Sequence, residues 1–276
     1  MKALVESAGV SRASFYRWCR PRPAAAAEVE LHDALQKVAV QWPAYGYRRL
    51  THKLQQLGFA INHKRVLRLM RQDNLLCVRR RSFALTTDSG HALPVYPNLA
   101  RDIEPTAINQ LWVADITYIR LRTEFIYLAV VLDAFSRRVV GWALGRTLEA
   151  QLAVSALTMA LSLRKPQPGV IHHSDRGAQY ASADYVQRLQ QHGMQISMSR
   201  KGNPYDNATC ESFMKTLKQE EVYRNDYRDM EEASESIGEF IDKVYNQARL
   251  HSRLGYRPPV EFERLSLLSI GSYAAK

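Results

Sequence analysis

The chain has 276 residues, of which 46% are hydrophobic and 24% charged, proportions that are ordinary for a soluble globular protein. It contains neither the roughly 20 consecutive apolar residues that span a bilayer nor a signal-peptide core at its start. Its three cysteines are widely spaced, which argues against a disulfide framework or a zinc cluster, so we expect a soluble protein of the cytoplasm.

The charge of the chain is concentrated near its N-terminus. The net charge is +11 and the pI about 9.7. Residues 1–100 carry 16 basic and 6 acidic side chains, a net +10, whereas residues 101–276 carry 22 and 21. This asymmetry predicts an N-terminal region that binds a polyanion, attached to a charge-balanced body.

Residues 1–22 are typical of part of a helix-turn-helix. Gly9 makes a turn, and Ser11 is placed to cap a helix that carries Arg12 and Arg17. An ordinary helical hairpin would give the same pattern, so both interpretations remain open here.

Residues 28–80 form a second and stronger helix-turn-helix candidate. Leu50, Leu54 and Leu57 recur at helical spacing, Gly58 ends that helix, and Asn62 caps the next one. The last helix has a strongly basic face, for which the alternative is a merely solvated surface. We predict that this face contacts DNA through Lys64, Arg65, Arg68 and Arg71.

A polar linker at 81–105 leads into a region with a different pattern, 106–225. Alternating and continuous apolar runs predict strands, and wider spacing predicts helices, in the order β-β-β-α-β-α-β-α of a mixed α/β sheet. A helical segment, 226–276, follows. The predicted strands are 111–121, 125–132, 137–144, 169–173 and 196–199, and the predicted helices are 148–163, 184–192, 207–222 and 231–245.

Three carboxylates stand out as candidates for phosphodiester chemistry, which requires converging acidic ligands for divalent metal ions. Asp115 lies inside a strand, where an unpartnered carboxylate is costly. Asp175 follows a short buried strand, although Asp-x-Gly is also a common turn. Glu211 lies on a helix, where a simple Glu–Lys surface pair is the alternative.

The motifs around these acids resemble those of a known family. They comprise the run from Trp112 to Tyr118, the run from His173 to Tyr180, and the run from Ser199 to Phe213. Asp175 and Glu211 are separated by 35 residues. With these motifs, the chain is similar to the OrfB transposases of insertion-sequence family three, in the retroviral-integrase superfamily, over nearly its whole length.

The resemblance implies a ribonuclease H-like catalytic core preceded by small all-α helix-turn-helix units. It implies that Asp115, Asp175 and Glu211 bind two Mg²⁺ or Mn²⁺ ions and catalyse two steps. One strand is hydrolysed at each element end to free a 3′-OH, which then attacks a target phosphodiester. A structure-selective nuclease that cannot join strands and a DNA-binding regulator are the alternative functions.

Further side chains are assigned by their position near these motifs. Asp133 is either a fourth ligand or, as we expect, a structural residue. DNA partners beyond the basic helix are predicted to be Arg48, Arg49, Lys201, Asn207, Lys215 and Lys218. The resemblance also implies element ends and target DNA as substrates, a homo-oligomer on paired ends, an OrfA fusion or partner, and a location at the bacterial nucleoid.

Overall fold

The computed structural model describes residue 9 and residues 11–19, 26–76, 93–200 and 207–274. The chain divides into two compact units, Met1–Cys77 and Val78–Lys276, and each is described by itself.

The first unit is helical in its described part. It contains α1 (Arg12–Cys19), α2 (Ala26–Gln41), α3 (Tyr47–Gln56) and α4 (His63–Gln72). Two predicted caps are confirmed: the Ser11 hydroxyl accepts a hydrogen bond from the Ser14 N–H at 3.1 Å, and the Asn62 side chain accepts from the Arg65 N–H at 2.9 Å. The helix predicted before α1 lies outside the described residues.

The α3–turn–α4 pair has the predicted helix-turn-helix order. Gly58, with a φ of +92°, ends α3 in a conformation that glycine adopts without strain. The two helices bury apolar side chains at helical spacing, together with residues of α2, which leaves the basic side of α4 exposed. These buried residues are Leu31, Leu35, Leu50, Leu54, Val66, Leu69 and Met70.

Five strands of the second unit form one mixed sheet in the order β3–β2–β1–β4–β5. The first three strands form an antiparallel meander, and β4 and β5 then add parallel to β1. The strands are β1 (Leu111–Arg120), β2 (Phe125–Asp133), β3 (Val139–Gly145), β4 (Ile171–Ser174) and β5 (Gln195–Met198). This order and the alternation of helices with later strands confirm the predicted α/β class.

Helices cover both faces of the sheet. One face packs against α5 (Ala150–Arg164), α6 (Ala178–Ala181) and α7 (Ala183–Gln191). The other packs against α8 (Ala208–Glu220), α9 (Met230–Glu239) and a π-helical turn, Phe240–Asn246. Short 3₁₀ turns at Val222–Arg224 and Ser252–Leu254 precede α10 (Pro259–Ala274). No helix of the described residues is long and apolar enough to cross a membrane.

Alternation along β1 decides which side chains enter which core. Val113 and Ile119 join the cluster beneath α8, whereas Trp112 and Ala114 join the cluster beneath α5. Asp115 belongs to the same side as Val113, and this places it toward the helix that carries Glu211.

Each outer strand of the sheet has part of its edge occupied by other residues. Beside β3, the side-chain amide of Asn246 donates to the Val139 carbonyl and accepts from the Val139 N–H, each at 3.0 Å, as a neighbouring strand would. Beside β5, the Leu99 N–H donates to the Ser197 hydroxyl at 2.8 Å, and the Pro97 carbonyl accepts from Met198. Covered edges prevent pairing with other chains.

The C-terminal part of the chain is attached to the rest of the second unit by buried ion pairs. Arg249 donates to both carboxylate oxygens of Glu220 at the end of α8, at 2.9 and 2.6 Å. Glu263 of α10 is buried and accepts from Ser136, Arg138 and Arg164. Burial raises the pKa of Glu263, but Arg164 and its companions outweigh this effect and hold the pKa below its ordinary value.

Candidate active site

Asp115 lies where β1 continues past its neighbour. Strand β4 pairs with β1 only from Leu111 to Val113, so Asp115 lies two residues beyond the last paired position. Its Oδ1 accepts a hydrogen bond from the Ile116 N–H at 2.9 Å. The carboxylate is therefore held on a rigid central strand and is only partly exposed.

Asp175 immediately follows β4 and lies close enough to Asp115 for its charge to raise the pKa of Asp115. Its Oδ1 accepts from the Gly177 N–H at 2.9 Å, which fixes the turn. A Cβ atom at position 177 would lie 3.0 Å from that oxygen, so glycine leaves room around the carboxylate. The Arg176 Nε donates to the Ser199 carbonyl at 2.7 Å, which connects this turn to the residue after β5.

Glu211 lies in the first turn of α8, whose start is joined to β1. The buried Asn207 amide donates from Nδ2 to the Ala114 carbonyl at 3.0 Å, one residue before Asp115. This contact fixes the position of the helix that carries Glu211 relative to the strand that carries Asp115. It also occupies one end of the Asn207 side chain, so the predicted contact of Asn207 with DNA stays a prediction beside an observed bracing contact.

The three acids affect one another electrostatically. The pKa of Asp115 is raised from 3.8 to about 7, first by burial and then by the nearby charge of Asp175, with a smaller contribution from Glu211. The Ile116 hydrogen bond and Lys218 act in the opposite direction but do not compensate. Burial and the two neighbouring acids therefore favour the protonated form of Asp115 in the absence of a bound cation.

The carboxylates are neighbours, but they do not yet form a closed ligand set. Among the described residues, no three His, Cys, Asp or Glu side chains meet closely enough to hold a metal ion. Glu211 Oε2 instead lies 4.0 Å from Lys215 Nζ. Oxygen donors with excess negative charge are nevertheless the chemistry that a hard divalent cation requires.

Lys218 differs from Lys215 in its surroundings. Its Nζ lies 4.3 Å from the centroid of the Tyr118 ring, on β1 three residues after Asp115. Partial burial lowers the pKa of Lys218, and the charge of Asp115 raises it. This lysine lies close to the acids, whereas Lys215 has a 73% exposed side chain.

Two buried histidines support the strand that leads to Asp175. His172 bonds to the Tyr185 hydroxyl at 2.9 Å, and burial, followed by the neighbouring His173, lowers its pKa to about 3. His173 bonds to the hydroxyls of Ser197 and Ser199 at 2.8 and 2.9 Å. Both rings therefore have a structural role within the packing around β4, and no spacing in the sequence pointed to the serines and the tyrosine.

Asp133 is occupied by backbone hydrogen bonds. Its carboxylate accepts from the N–H groups of Asn109, Phe135 and Ser136 at 2.7, 3.0 and 3.1 Å. These bonds organise the turn between β2 and β3, and they agree with the structural role that we expected in preference to a fourth ligand.

The predicted DNA-binding residues of the first unit lie on its surface or against aromatic rings. Lys64, Arg68 and Arg71 are exposed on α4, and Arg65 lies 3.5 Å from Glu28. Around α3, each of three cations lies 5.4 Å from a ring centroid. The pairs are Arg48 with Tyr47, Arg49 with Tyr45, and Lys53 with Trp42. The sequence analysis did not single out Lys53, and Lys201 lies outside the described residues.

The sheet order, with one acid within its central strand and another directly after the neighbouring strand, defines a class. The protein is a polynucleotidyl transferase with a ribonuclease H-like core. Models of the integrase core domain match residues 105–204 and 192–259, and a model of an HTH-like domain matches residues 26–83.

Relatives narrow this class to a family. An uncharacterized 31 kDa protein of insertion element IS600 from Shigella sonnei is 42% identical over 92% of this chain and 95% of its own length. Transposase InsF of insertion sequence IS3A from Escherichia coli strain K12 is 37% identical over 97% and 95%, respectively. The chain belongs to the IS3-family transposases, and the predicted family and activity are confirmed.

Solved structures also match the chain. The simian T-cell lymphotropic virus intasome, in complex with PP2A regulatory subunit B56 gamma, matches with a TM-score of 0.49 and 16% identity, over 83% of this chain and 74% of that one. The HTLV-2 integrase catalytic core domain in complex with magnesium matches with a TM-score of 0.45 and 17% identity, over 58% and 99%.

Proposed function

We propose that Asp115, Asp175 and Glu211 together bind two divalent metal ions, Mg²⁺ or Mn²⁺, and catalyse both cleavage at the element ends and strand transfer. The observation that carries this proposal is the arrangement of the three acids: Asp115 lies on β1 just beyond its pairing with β4, Asp175 follows β4, and the start of α8, which carries Glu211, is hydrogen-bonded to β1. The charges of Asp175 and Glu211 also help to raise the pKa of Asp115. Groups held in an unneutralised cluster are candidates for chemistry, because such an arrangement is costly to the fold.

The donor set fits such ions. Asp115 and Asp175 each accept a backbone hydrogen bond at 2.9 Å, and Glu211 lies in the first turn of α8. When bound, the ions supply Lewis-acid activation of the attacking oxygen and stabilisation of the leaving oxygen. Glu211 has the longest side chain of the three, and its Oε2 lies 4.0 Å from the Nζ of the largely exposed Lys215.

The protein's own residues position the DNA strand. The three acids would hold the ions, which would supply positive charge to the reacting phosphate, and the amide of Asn207 joins the start of α8 to β1. Lys215 and Lys218 supply positive charge on the same helix as Glu211, and we assign both to the phosphates of the strand end. Lys201, Asn207, Arg48 and Arg49 are retained as proposed DNA contacts.

The helix-turn-helix unit is proposed to select the element ends. The exposed basic residues of α4 have the arrangement of a helix that enters a major groove. Target DNA, a homo-oligomer on paired ends, an OrfA fusion or partner and a location at the bacterial nucleoid complete the proposal.

A strand-transfer assay tests the proposal directly. The full chain is given a pre-cleaved DNA end with a free 3′-OH, labelled on that strand, with target DNA and Mg²⁺. We expect joined products that disappear with Asp115→Asn. Hydrolysis without joining would indicate a structure-selective nuclease, and binding without any Mg²⁺-dependent nicking would indicate a regulator; either result overturns the proposal.

A further inference from the structure

The two lysines of α8, Lys215 and Lys218, have different partners: a carboxylate and an aromatic ring. An ammonium group near a carboxylate is drawn into an ion pair, and Lys215 approaches Glu211 in this way, at 4.0 Å, whereas the acid that affects Lys218 is Asp115. Lys218 makes no ion pair within 4.0 Å in the part of the chain that the structure describes. Its partner is the face of the Tyr118 ring, 4.3 Å from Nζ.

An aromatic partner has a consequence that a carboxylate partner does not. The negative face of the ring attracts the cation without consuming a metal-binding oxygen. The ammonium therefore remains available to an anionic ligand, and the acids remain available to metal ions. A direct pair between Lys218 and Asp115 would disable both groups.

The ring itself is held in place. Tyr118 lies on β1, the strand that carries Asp115, where it is opposite Tyr127 of β2 in the register. Its ring meets Phe125 edge to face, with centroids 5.8 Å apart and planes at 75°. Tyr118 and Asp115 lie on the same strand. The ring therefore fixes the position of the Lys218 ammonium relative to the Asp115 carboxylate.

We propose that Tyr118 is a positioning residue, whose ring holds the ammonium of Lys218 beside the acids so that it meets a phosphate oxygen of the DNA strand end. This inference rests on the proposed function. It adds a residue that touches neither metal nor DNA, and it assigns the aromatic ring, rather than the hydroxyl, as the working part of the side chain.

The test uses the full chain with phenylalanine and its mono-, di- and trifluoro derivatives incorporated at position 118. Fluorine withdraws the negative charge from the ring face and changes its shape little. We measure the single-turnover rate of strand transfer at saturating DNA, and the affinity for the same DNA. Tyr118→Phe is expected to stay within about twofold of the unsubstituted rate, because the ring face is retained.

The fluorinated series should lose rate step by step, and Tyr118→Leu should be slower by roughly 3- to 30-fold, the range of a cation–π contact. Affinity should change less than about twofold, since the helix-turn-helix unit supplies most of it. In a Lys218→Gln background, Tyr118→Leu should have almost no further effect, as expected for two residues that act through one contact.

A rate that is flat across the fluorinated series overturns the inference, even if Tyr118→Leu is slow, because packing alone would then explain the loss. A full effect of Tyr118→Leu in the Lys218→Gln background overturns it as well. The proposed function is judged separately: strand transfer that disappears with Asp115→Asn supports it, whatever the fluorinated series gives.

Discussion

The two compact units place their charged side chains in opposite settings. In Met1–Cys77, the candidate functional groups are basic and mostly exposed, as Lys64, Arg68 and Arg71 are on α4. In Val78–Lys276, the candidate catalytic acids are only partly exposed, and burial and the neighbouring acids raise the pKa of Asp115 to about 7.

This difference separates two ways of using charge. Water and dissolved ions screen the attraction between exposed cations and phosphates. Each such cation therefore has a modest effect on DNA affinity, and that effect depends on ionic strength. Shielded acids are costly to ionise and have large effects on both chemistry and stability. Substitutions in the two units should therefore differ in kind as well as in size.

The largest effect is expected from Asp115→Asn. The amide keeps the shape of the side chain but loses the charge, and strand cleavage should fall by about a thousandfold or more, the scale of a group that stabilises charge in a transition state. Gel electrophoresis of an end-labelled strand in Mg²⁺ measures the loss. Asp175→Asn and Glu211→Gln should behave alike.

Binding is the control for this experiment. The affinity of Asp115→Asn for duplex DNA should remain within about twofold of the unsubstituted value, because the basic unit is unaltered. Loss of affinity together with activity would mean that Asp115 maintains the fold. It would contradict the view that the first unit supplies DNA affinity and the second supplies the chemistry.

The next largest effect is expected from Arg249→Met. The side chains of Arg249 and Glu220 are only 4% and 10% exposed, so removal of the arginine leaves a buried glutamate unpaired. The catalytic unit should lose about 3 to 5 kcal/mol of stability. Amide hydrogen exchange of β1 and α8 resolves this change within the full chain.

Arg253→Met provides a matched control a few residues away. Arg253 pairs with Glu104 at 3.4 Å, but the two side chains are 71% and 86% exposed. Its removal should change protection by less than about 0.5 kcal/mol. Equal effects of the two substitutions would show that burial does not decide the outcome.

A smaller effect is expected from pH in the absence of metal. A folded-state pKa raised above the unfolded value favours folding when the group is protonated, and this contribution is lost as the pH rises through the folded pKa. For Asp115, the free energy of unfolding should therefore fall between pH 4 and pH 8, by about 2 to 4 kcal/mol. Urea unfolding with a chelator present measures it.

Asp115→Asn should flatten this pH dependence, because the amide does not titrate. Divalent cations should be bound more tightly as the pH rises through about 7, since they compete with the proton on Asp115. A pH dependence that survives the substitution unchanged would assign the effect to other groups.

The smallest effect is expected from Arg68→Gln on α4. If Arg68 contacts a phosphate, affinity should fall by roughly tenfold and the slope of log affinity against log salt should decrease by about 0.9. Lys37→Gln on α2 is the control, since Lys37 is exposed and paired with Asp33 at 2.7 Å. An unchanged slope would argue against a phosphate contact.

Local patterns were sufficient to predict most elements of the fold. The continuous apolar run predicted at 125–132 is β2, Phe125–Asp133, because a strand buried on both faces has no polar alternation. Asn62 and Gly58 marked the ends of helices through their own side-chain and backbone properties. The predicted helix 231–245 is instead α9 followed by a π-helical turn, a distinction that hydrophobic spacing does not encode.

The candidate acids were found through motifs, whereas their supports were not. Glu263 contacts Arg138, 125 residues away in the sequence, and Asn207 contacts Ala114, 93 residues away. Helix and strand periodicity relate only residues that are close in the sequence, so they do not predict such pairs. Tyr118 was seen only as part of a strand. Such contacts depend on the tertiary packing that brings distant elements together.

The hydrogen bonds between Asn246 and Val139 can form only late in synthesis, because the two residues are far apart in the chain. The ribosome releases β3 long before residue 246, so the nascent sheet has an unprotected edge while about a hundred further residues are made. Arg249 reaches Glu220 later still, and only then is α8 fixed from both ends. A prematurely terminated chain should therefore be prone to aggregate and unable to cut DNA.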